Sequence, residues 1–366
     1  MKILITGGHL TPALAVIDQL KKTYPDIKII FVGRKYSLDF EKTLSLEYKE
    51  ITRRKIIFKT LSAGRFTRIF NIRSIINFLK IPYGFLEAFF IINQHRPDKV
   101  LSFGGYLALP IVFWAYFFKI PVFTHEQTIN PGLANKIIGF FSKKIFVSFK
   151  EAEKYFRNKN IILTGNPIRE SIFKTIKTPF KIKKNLPIIY VTGGSLGSHS
   201  INQHIKKLLP VILKKYIIIH QTGDTKQYHD YEDLLDIKNK LPENLKKNYY
   251  LAKHFFEDEI GYIYSLADLV VCRSGANTFF ELIYLKKPAV LIPLPWSAGK
   301  EQQHHAEIFV KAGCGELFHQ IETSEKLARI IDTMFKNLDF YKNNFKNLNS
   351  LYKKDATSSI IKEIFT

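Results

Sequence analysis

The run Cys272-Arg273-Ser274-Gly275-Ala276-Asn277-Thr278-Phe279-Phe280-Glu281 sets a cation, a glycine, two hydroxyls and a carboxylate close together. It follows the β-branched stretch Leu269-Val270-Val271, and Lys286-Lys287-Pro288 separates it from Ala289-Val290-Leu291-Ile292. The stretch 267–303 therefore predicts strand, loop, helix and strand, with the helix opening at Thr278. In such a unit Gly275 can take positive φ and bring the backbone close to a ligand, and the first N–H groups of the helix can hold an anion such as a diphosphate. Glu281, in the first turn, can accept two hydrogen bonds from a ribose diol. Thr278 and Glu281 also have the spacing of a capping box, which by itself would account for both. Arg273 and the polar group Glu301-Gln302-Gln303 fall after strands of the same unit, and strand ends of this kind converge on one cleft.

Three more turns carry chemistry-bearing residues. Thr6-Gly7-Gly8-His9 follows the apolar run Ile3-Leu4-Ile5, and a helical pattern over 13–22 and a strand over 27–32 complete a βαβ unit. The spacing is not G-x-G-x-x-G and no acidic residue stands at the next strand end, so a dinucleotide cofactor is not expected. His9 is placed either as an imidazole projecting into a cleft or as a polar turn residue. Gly104-Gly105-Tyr106 ends a strand over 98–103, and His125-Glu126-Gln127 ends one over 122–124. Glu126 is a candidate partner for a histidine, or a hydrogen-bonded structural carboxylate.

These turns need elements that hold them at one end of a sheet. The run Ile188-Ile189-Tyr190-Val191-Thr192-Gly193-Gly194 echoes Ile3-Leu4-Ile5-Thr6-Gly7-Gly8, each followed by a helix, so two similar α/β halves are expected to face each other across a cleft. The 366-residue chain is long enough for two cores. The domains are expected at 1–167 and 168–342, with a helical segment over 343–366 packing back on the first.

Lys and Arg exceed Asp and Glu by 55 to 32, a net +23 that favours an acidic partner: nucleic acid, a diphosphate or an anionic membrane. A basic nucleic-acid-binding protein would explain that charge but not the paired glycine turns. Cys272 and Cys314 lack metal-like spacing and are expected to be reduced core residues. The apolar start is broken at Gly7-Gly8, so no secretory signal is expected. The uncharged run 100–118 contains Gly104-Gly105 and Pro110, and a strand, a turn and a buried helix explain it better than a membrane span. From Arg65 to Phe90, basic residues interleave with Phe66, Ile69, Phe70, Phe78 and Leu79. Such a segment suits a membrane interface, or is a long core helix with a basic face.

Taken together and in order, these residues resemble the MurG family, the peptidoglycan N-acetylglucosaminyltransferases. The matches are Thr6-Gly7-Gly8-His9 with Pro12, Gly104-Gly105-Tyr106, His125-Glu126-Gln127 with Pro131-Gly132-Leu133, and Gly165-Asn166-Pro167-Ile168-Arg169. They continue with Gly193-Gly194-Ser195 and Gly197, His220-Gln221-Thr222-Gly223, Cys272 to Ala276 with Thr278 and Glu281, and the Gln302 region. The first glycine loop lacks a glycine pair before Thr6, Thr128 stands where the family has Asn, and Leu196 replaces a common Gln.

The resemblance implies an α/β fold of the GT-B kind, two Rossmann-like domains. It implies UDP-N-acetylglucosamine as donor and inverting transfer to the C4 hydroxyl of undecaprenyl-diphospho-N-acetylmuramoyl-pentapeptide, a step of peptidoglycan and cell wall synthesis. The alternative is another GT-B sugar transferase or a UDP-sugar 2-epimerase. By the same resemblance Glu281 meets the ribose, and Ser195 and the loop from Ala276 and Asn277 to Thr278, with Phe279 and Phe280 behind it, lie near the diphosphate. Arg169 stands close by, Gln302 meets the sugar, and backbone near Phe256 and Glu257 reads uracil. Thr6, Gly7, Gly8, Gly104 and Gly105 line the acceptor side, and Thr128 is a further substrate-binding position. The base is His9, with Glu126 as alternative or orienting partner. No cofactor or metal is expected, and the chain contains no Asp-x-Asp. The protein is expected peripherally on an anionic membrane surface, at the cytoplasmic face, without nucleic acid.

Overall fold

The computed structural model describes residues 1–38, 41–62, 72–156, 160–194, 196–223 and 227–366, and their side chains except at 37, 38, 41–43, 72–80 and 298. Ser195 and the stretch 63–71, with Arg65, Phe66, Ile69 and Phe70, lie outside the described residues. Two compact units are present, Met1–Arg169 with Lys353–Thr366, and Glu170–Tyr352.

The first unit holds β1 (Lys2–Thr6), β2 (Lys28–Gly33), β3 (Tyr36–Leu38), β4 (Glu41–Leu44), β5 (Ile57–Thr60), β6 (Lys99–Ser102), β7 (Val122–Glu126), β8 (Lys144–Val147) and β9 (Ile161–Leu163). Its sheet runs in the order β5-β2-β1-β6-β7-β8-β9, all parallel, while β3 and β4 form a separate antiparallel pair. Ile3 and Ile5 point to one side, packed with Val16, Ile17 and Leu20 of the helix Leu10–Thr23. Leu4 points to the other, with Ile92, Ile111 and Val112. Burial on both faces is why these strands read as unbroken apolar runs.

The second unit repeats the plan with β10 (Ile188–Thr192), β11 (Ile217–Gln221), β12 (Tyr249–Ala252), β13 (Leu269–Cys272), β14 (Ala289–Leu291) and β15 (Gly315–Leu317), ordered β12-β11-β10-β13-β14-β15. In both sheets the order reverses beside the first strand, between β1 and β6 and between β10 and β13. Ligands of open α/β sheets bind at the carboxyl ends of strands at this reversal. Thr6-Gly7-Gly8-His9 and Gly104-Gly105 flank one reversal; Gly193-Gly194 and Arg273-Ser274-Gly275 flank the other.

The chain end returns to the first unit. Lys353 lies against Gly165, and the helix Ala356–Phe365 packs on Leu10–Thr23 through Ile360, Ile361 and Ile364, with Phe365 stacked on Tyr24 at 4.4 Å. The run 100–118 resolves into β6, a glycine turn and the helix Ala108–Phe117. No helix of the described residues is long and apolar enough to cross a membrane.

Candidate active site

At the first reversal the backbones of two turns touch. A Cβ on Gly8, whose φ is +129°, would stand 2.3 Å from Gly104 O, so only glycine allows the approach. Glu47 braces the turn from the side, its carboxylate accepting from Gly8 N at 3.1 Å and Arg34 N at 3.3 Å. His9 is the N-cap residue of Leu10–Thr23 in extended conformation, and its side chain makes no cap bond. The imidazole instead meets Gln127, whose Nε2 lies 2.7 Å from His9 Nδ1. Desolvation lowers the His9 pKa to about 4, so the half-buried ring is neutral at physiological pH.

His125 and Glu126 lie inside β7 rather than in the turn after it, and both are buried. Glu126 accepts from Thr128 N at 2.8 Å and Thr128 Oγ1 at 2.7 Å on one oxygen, and from Asn135 Nδ2 at 2.6 Å on the other. Asn135 Oδ1 in turn accepts from Gly105 N at 2.8 Å. Burial pushes the Glu126 carboxyl above its usual range, against the pull of its Asn135 and Thr128 donors. With both oxygens engaged, Glu126 organises the glycine turn, and the Thr128 hydroxyl is spent on it. His125 Nε2 donates to Gly165 O at 3.1 Å, and burial lowers its pKa to about 4. Thr6 Oγ1, Gln127 Oε1 and Asn166 Nδ2 are buried without a protein partner among the described residues. Buried polar atoms are otherwise nearly always paired. All three belong to the carboxyl-end loops and strand ends of this sheet.

At the second reversal Arg273 is a brace. Its guanidinium donates to Ile292 O at 2.9 Å, Ser198 Oγ at 2.7 Å, Ser200 Oγ at 2.9 Å and Gln320 Oε1 at 2.8 Å, and burial lowers its pKa to about 10. Ser274 Oγ donates to Gln302 O at 2.7 Å, and Gln302 Oε1 accepts from Leu294 N at 3.0 Å.

The helix begins at Ala276, two residues before Thr278, and its N-cap is Gly275 with φ −63° and no side-chain cap. Gly275 thus does not use positive φ, and Thr278 and Glu281 do not form a capping box. The space where a Gly275 Cβ would stand is open. Asn277 Oδ1, in the first turn, is buried and has no protein partner among the described residues. Phe279 and Phe280 are core side chains, and Phe279 stacks on His305 at 4.7 Å. Glu281 is 4% exposed and accepts from Tyr264 Oη at 2.9 Å. Phe255 N donates to Gln221 Oε1 at 3.0 Å and Phe256 N to Glu259 Oε2 at 3.1 Å, so these N–H groups are already engaged. Glu257 is buried and accepts from Ser171 Oγ at 3.2 Å. Arg169 is half-buried at the end of the first unit's main segment.

Roles for Asn135 and Glu47 have no signal in the sequence beyond their polarity, and Gln127 stands out there only as part of the turn with His125 and Glu126. Asn135 is three residues past Gly132, and its partners stand 9 and 30 residues away.

Two doubly wound units with glycine turns at both reversals are the architecture of GT-B glycosyltransferases. The glycosyltransferase family 28 N-terminal domain matches residues 6–147, and the family 28 C-terminal domain residues 188–363. The chain is 35% identical over 356 residues to the UDP-N-acetylglucosamine–N-acetylmuramyl-(pentapeptide) pyrophosphoryl-undecaprenol N-acetylglucosamine transferase of Clostridium perfringens strain 13, covering 94% of this chain and 93% of that one. It is 33% identical to the Bacillus cereus enzyme designated transferase 2, over 99% of both chains. Among solved structures, Acinetobacter baumannii MurG superposes with TM-score 0.67 at 22% identity, covering 100% of this chain and 99% of that one. The UDP-GlcNAc 2-epimerase of Neisseria meningitidis superposes with TM-score 0.64 at 14% identity over 99% of both, a likeness of fold alone. The chain belongs to glycosyltransferase family 28, in the group of N-acetylglucosamine transferases that these full-length relatives define.

Proposed function

We propose that the protein transfers N-acetylglucosamine from UDP-N-acetylglucosamine to the C4 hydroxyl of undecaprenyl-diphospho-N-acetylmuramoyl-pentapeptide, with inversion. The observation that carries this reading is identity above 30% along the whole chain to transferases named for that reaction. The 2-epimerase alternative is supported by fold alone. The hydroxyl oxygen attacks the anomeric carbon, its proton passes to His9, and the C1–O bond breaks with its electron pair leaving on UDP. His9 suits the base role because it is neutral and half-buried beside the glycine turn. Glu126 suits an organising role because three donors hold it. The first N–H groups of Ala276–Leu285, with Asn277, Thr278 and Arg169, are assigned to the leaving diphosphate, Glu281 to the ribose and Gln302 to the sugar. No metal is invoked. The test is UDP release from UDP-N-acetylglucosamine with and without a lipid-diphospho-muramoyl acceptor; release without dependence on that acceptor refutes the reading.

The acceptor's lipid implies a membrane surface, and the first unit offers one. Tyr83, Leu86 and Phe90 on the helix Ile72–His95 are more than half exposed, as are Tyr116 and Phe117 at the end of Ala108–Phe117, and Leu133 and Phe140 on Leu133–Phe141. Ring contacts join these helices, Phe89 to Trp114 at 5.0 Å and Tyr116 to Phe141 at 5.1 Å. Lys119, Lys136 and Lys143 are exposed on or beside the same helices. Each cation near an anionic bilayer contributes on the order of 1 kcal/mol, and inserted aromatics add apolar burial. This supports peripheral binding to an anionic membrane surface. Cosedimentation with anionic vesicles should weaken with salt and drop markedly in the triple variant Phe90→Ser, Phe117→Ser, Phe140→Ser. A folded triple variant that sediments like the parent refutes the docking face.

A further inference from the structure

We propose that Gln127 is a positioning residue whose side-chain carbonyl accepts from His9 Nδ1–H in the competent enzyme, leaving His9 Nε2 bare to take the acceptor's proton. This rests on the reading of His9 as base. Gln127 follows β7 directly and is 3% exposed, and one end of its amide stands 2.7 Å from His9 Nδ1. It is the one hydrogen-bond partner of that ring among the described residues. The Nδ1 side of the imidazole therefore faces Gln127, and only Nε2 can face a substrate.

Which nitrogen is basic depends on which end of the amide faces the ring. With Gln127 Nε2 donating, His9 Nδ1 supplies the lone pair and the ring's single hydrogen lies on Nε2, where it makes a donor and no base. Gln127 Oε1 is then a buried carbonyl with no partner. Half a turn of the amide exchanges two groups of nearly the same shape. Oε1 then accepts from Nδ1–H, and the lone pair moves to Nε2. The acceptor's hydroxyl proton transfers to that lone pair as its oxygen bonds to the anomeric carbon, giving an imidazolium with both nitrogens protonated. Nδ1–H···Oε1 persists through that change, whereas a donor opposite Nδ1 would block nothing but leave no base at Nε2. The titratable groups around the ring are His125, whose own pKa a charge on His9 lowers, and Glu47, held at Gly8 N.

The ¹⁵N ring shifts of His9 in the full-length protein report its tautomer without reference to activity. The expected result is the Nδ1–H form in the parent, retained in Gln127→Glu, whose carboxylate only accepts. Gln127→Glu should keep turnover and move the acidic limb of kcat/KM upward, since an adjacent negative charge raises a histidine pKa. Gln127→Leu should lower kcat about 10-fold or more with KM for both substrates nearly unchanged, because the tautomer is no longer held. An Nε2–H ring in an active parent overturns the proposal, as does a folded Gln127→Leu enzyme with parental kcat and pH profile. His9→Ala, measured alongside, separates the two ideas. If His9→Ala retains turnover, the base assignment fails; if it is inactive while Gln127→Leu is unaltered, only the role of Gln127 fails.

Discussion

Asn135→Leu tests whether the buried Glu126 carboxylate and the Gly104-Gly105 turn are one construction. The side chain of Asn135 gives one hydrogen bond to Glu126 at 2.6 Å and receives one from Gly105 N at 2.8 Å. Leucine is close in volume, so little room opens for water; one buried Glu126 oxygen loses its donor while Thr128 still holds the other, and the half-buried Gly105 N loses its acceptor. A hydrogen bond to a charged group contributes about 1.5–3 kcal/mol and a neutral one about 0.5–1.5 kcal/mol. With some return from the added apolar surface, the expected loss is about 2–3.5 kcal/mol. Its pH dependence has a definite sign. Burial already holds the Glu126 pKa above the usual carboxylate range, and losing a donor raises it further. A raised folded pKa adds stability below the unfolded pKa that is lost as pH rises through the folded one. The penalty of the variant should therefore be greatest at neutral pH and smaller near about pH 5. Urea denaturation of parent and variant at both pH values gives the difference directly, with the buried histidines common to both. A loss under about 1 kcal/mol at neutral pH, or one that grows on acidification, refutes the reasoning.

Glu281→Ala should weaken UDP-N-acetylglucosamine binding by about 1.5–3 kcal/mol through loss of a charge-assisted partner; lower thermal stability with unchanged donor affinity would make Glu281 merely the support of Tyr264. His9→Ala should lower turnover about 10²–10⁴-fold with UDP affinity intact. In the parent, kcat/KM should stay flat on the acid side until the pH nears the His9 pKa of about 4, and a limb near the ordinary histidine value of 6.5 would show that the ring is not buried as described. Burial depresses His125 and His305 to about 4 and His220 to about 3, from 6.5. Their contribution to stability is complete above 6.5 and is lost as pH falls through these values, because the unfolded chain takes up protons first; urea midpoints that rise on acidification across this window contradict the burial.

The strands and both glycine turns were legible because a parallel strand buried on two faces leaves an unbroken β-branched run, and a glycine stops it where the chain turns toward a ligand. The repeat of Ile-x-x-Thr-Gly-Gly character at β1 and β10 marked two halves for the same reason. The start of the helix at Ala276 was not legible, since Gly275 caps it in extended conformation without a side-chain bond. His125 and Glu126 were expected in a turn, but a polar pair can continue a strand when buried partners are waiting for it. The pairing of His9 with Gln127 joins residues 118 apart, and no local pattern encodes such a contact. Of the segment 65–90 named for a membrane surface, Phe66, Ile69 and Phe70 lie outside the described residues, and exposed aromatics also stand on Ala108–Phe117 and Leu133–Phe141, which the sequence alone does not single out.

Glu47 couples positions 7, 33 and 47 through space. A Cβ on Gly7 would meet its carboxylate at 2.7 Å and one on Gly33 at 2.9 Å, so an alanine at either position has to displace the end of the Glu47 side chain. Shortening the acid would free both positions but release Gly8 N and Arg34 N, and with them the turn that carries His9. A substitution at any one of the three positions is therefore felt at the other two through the placement of this carboxylate.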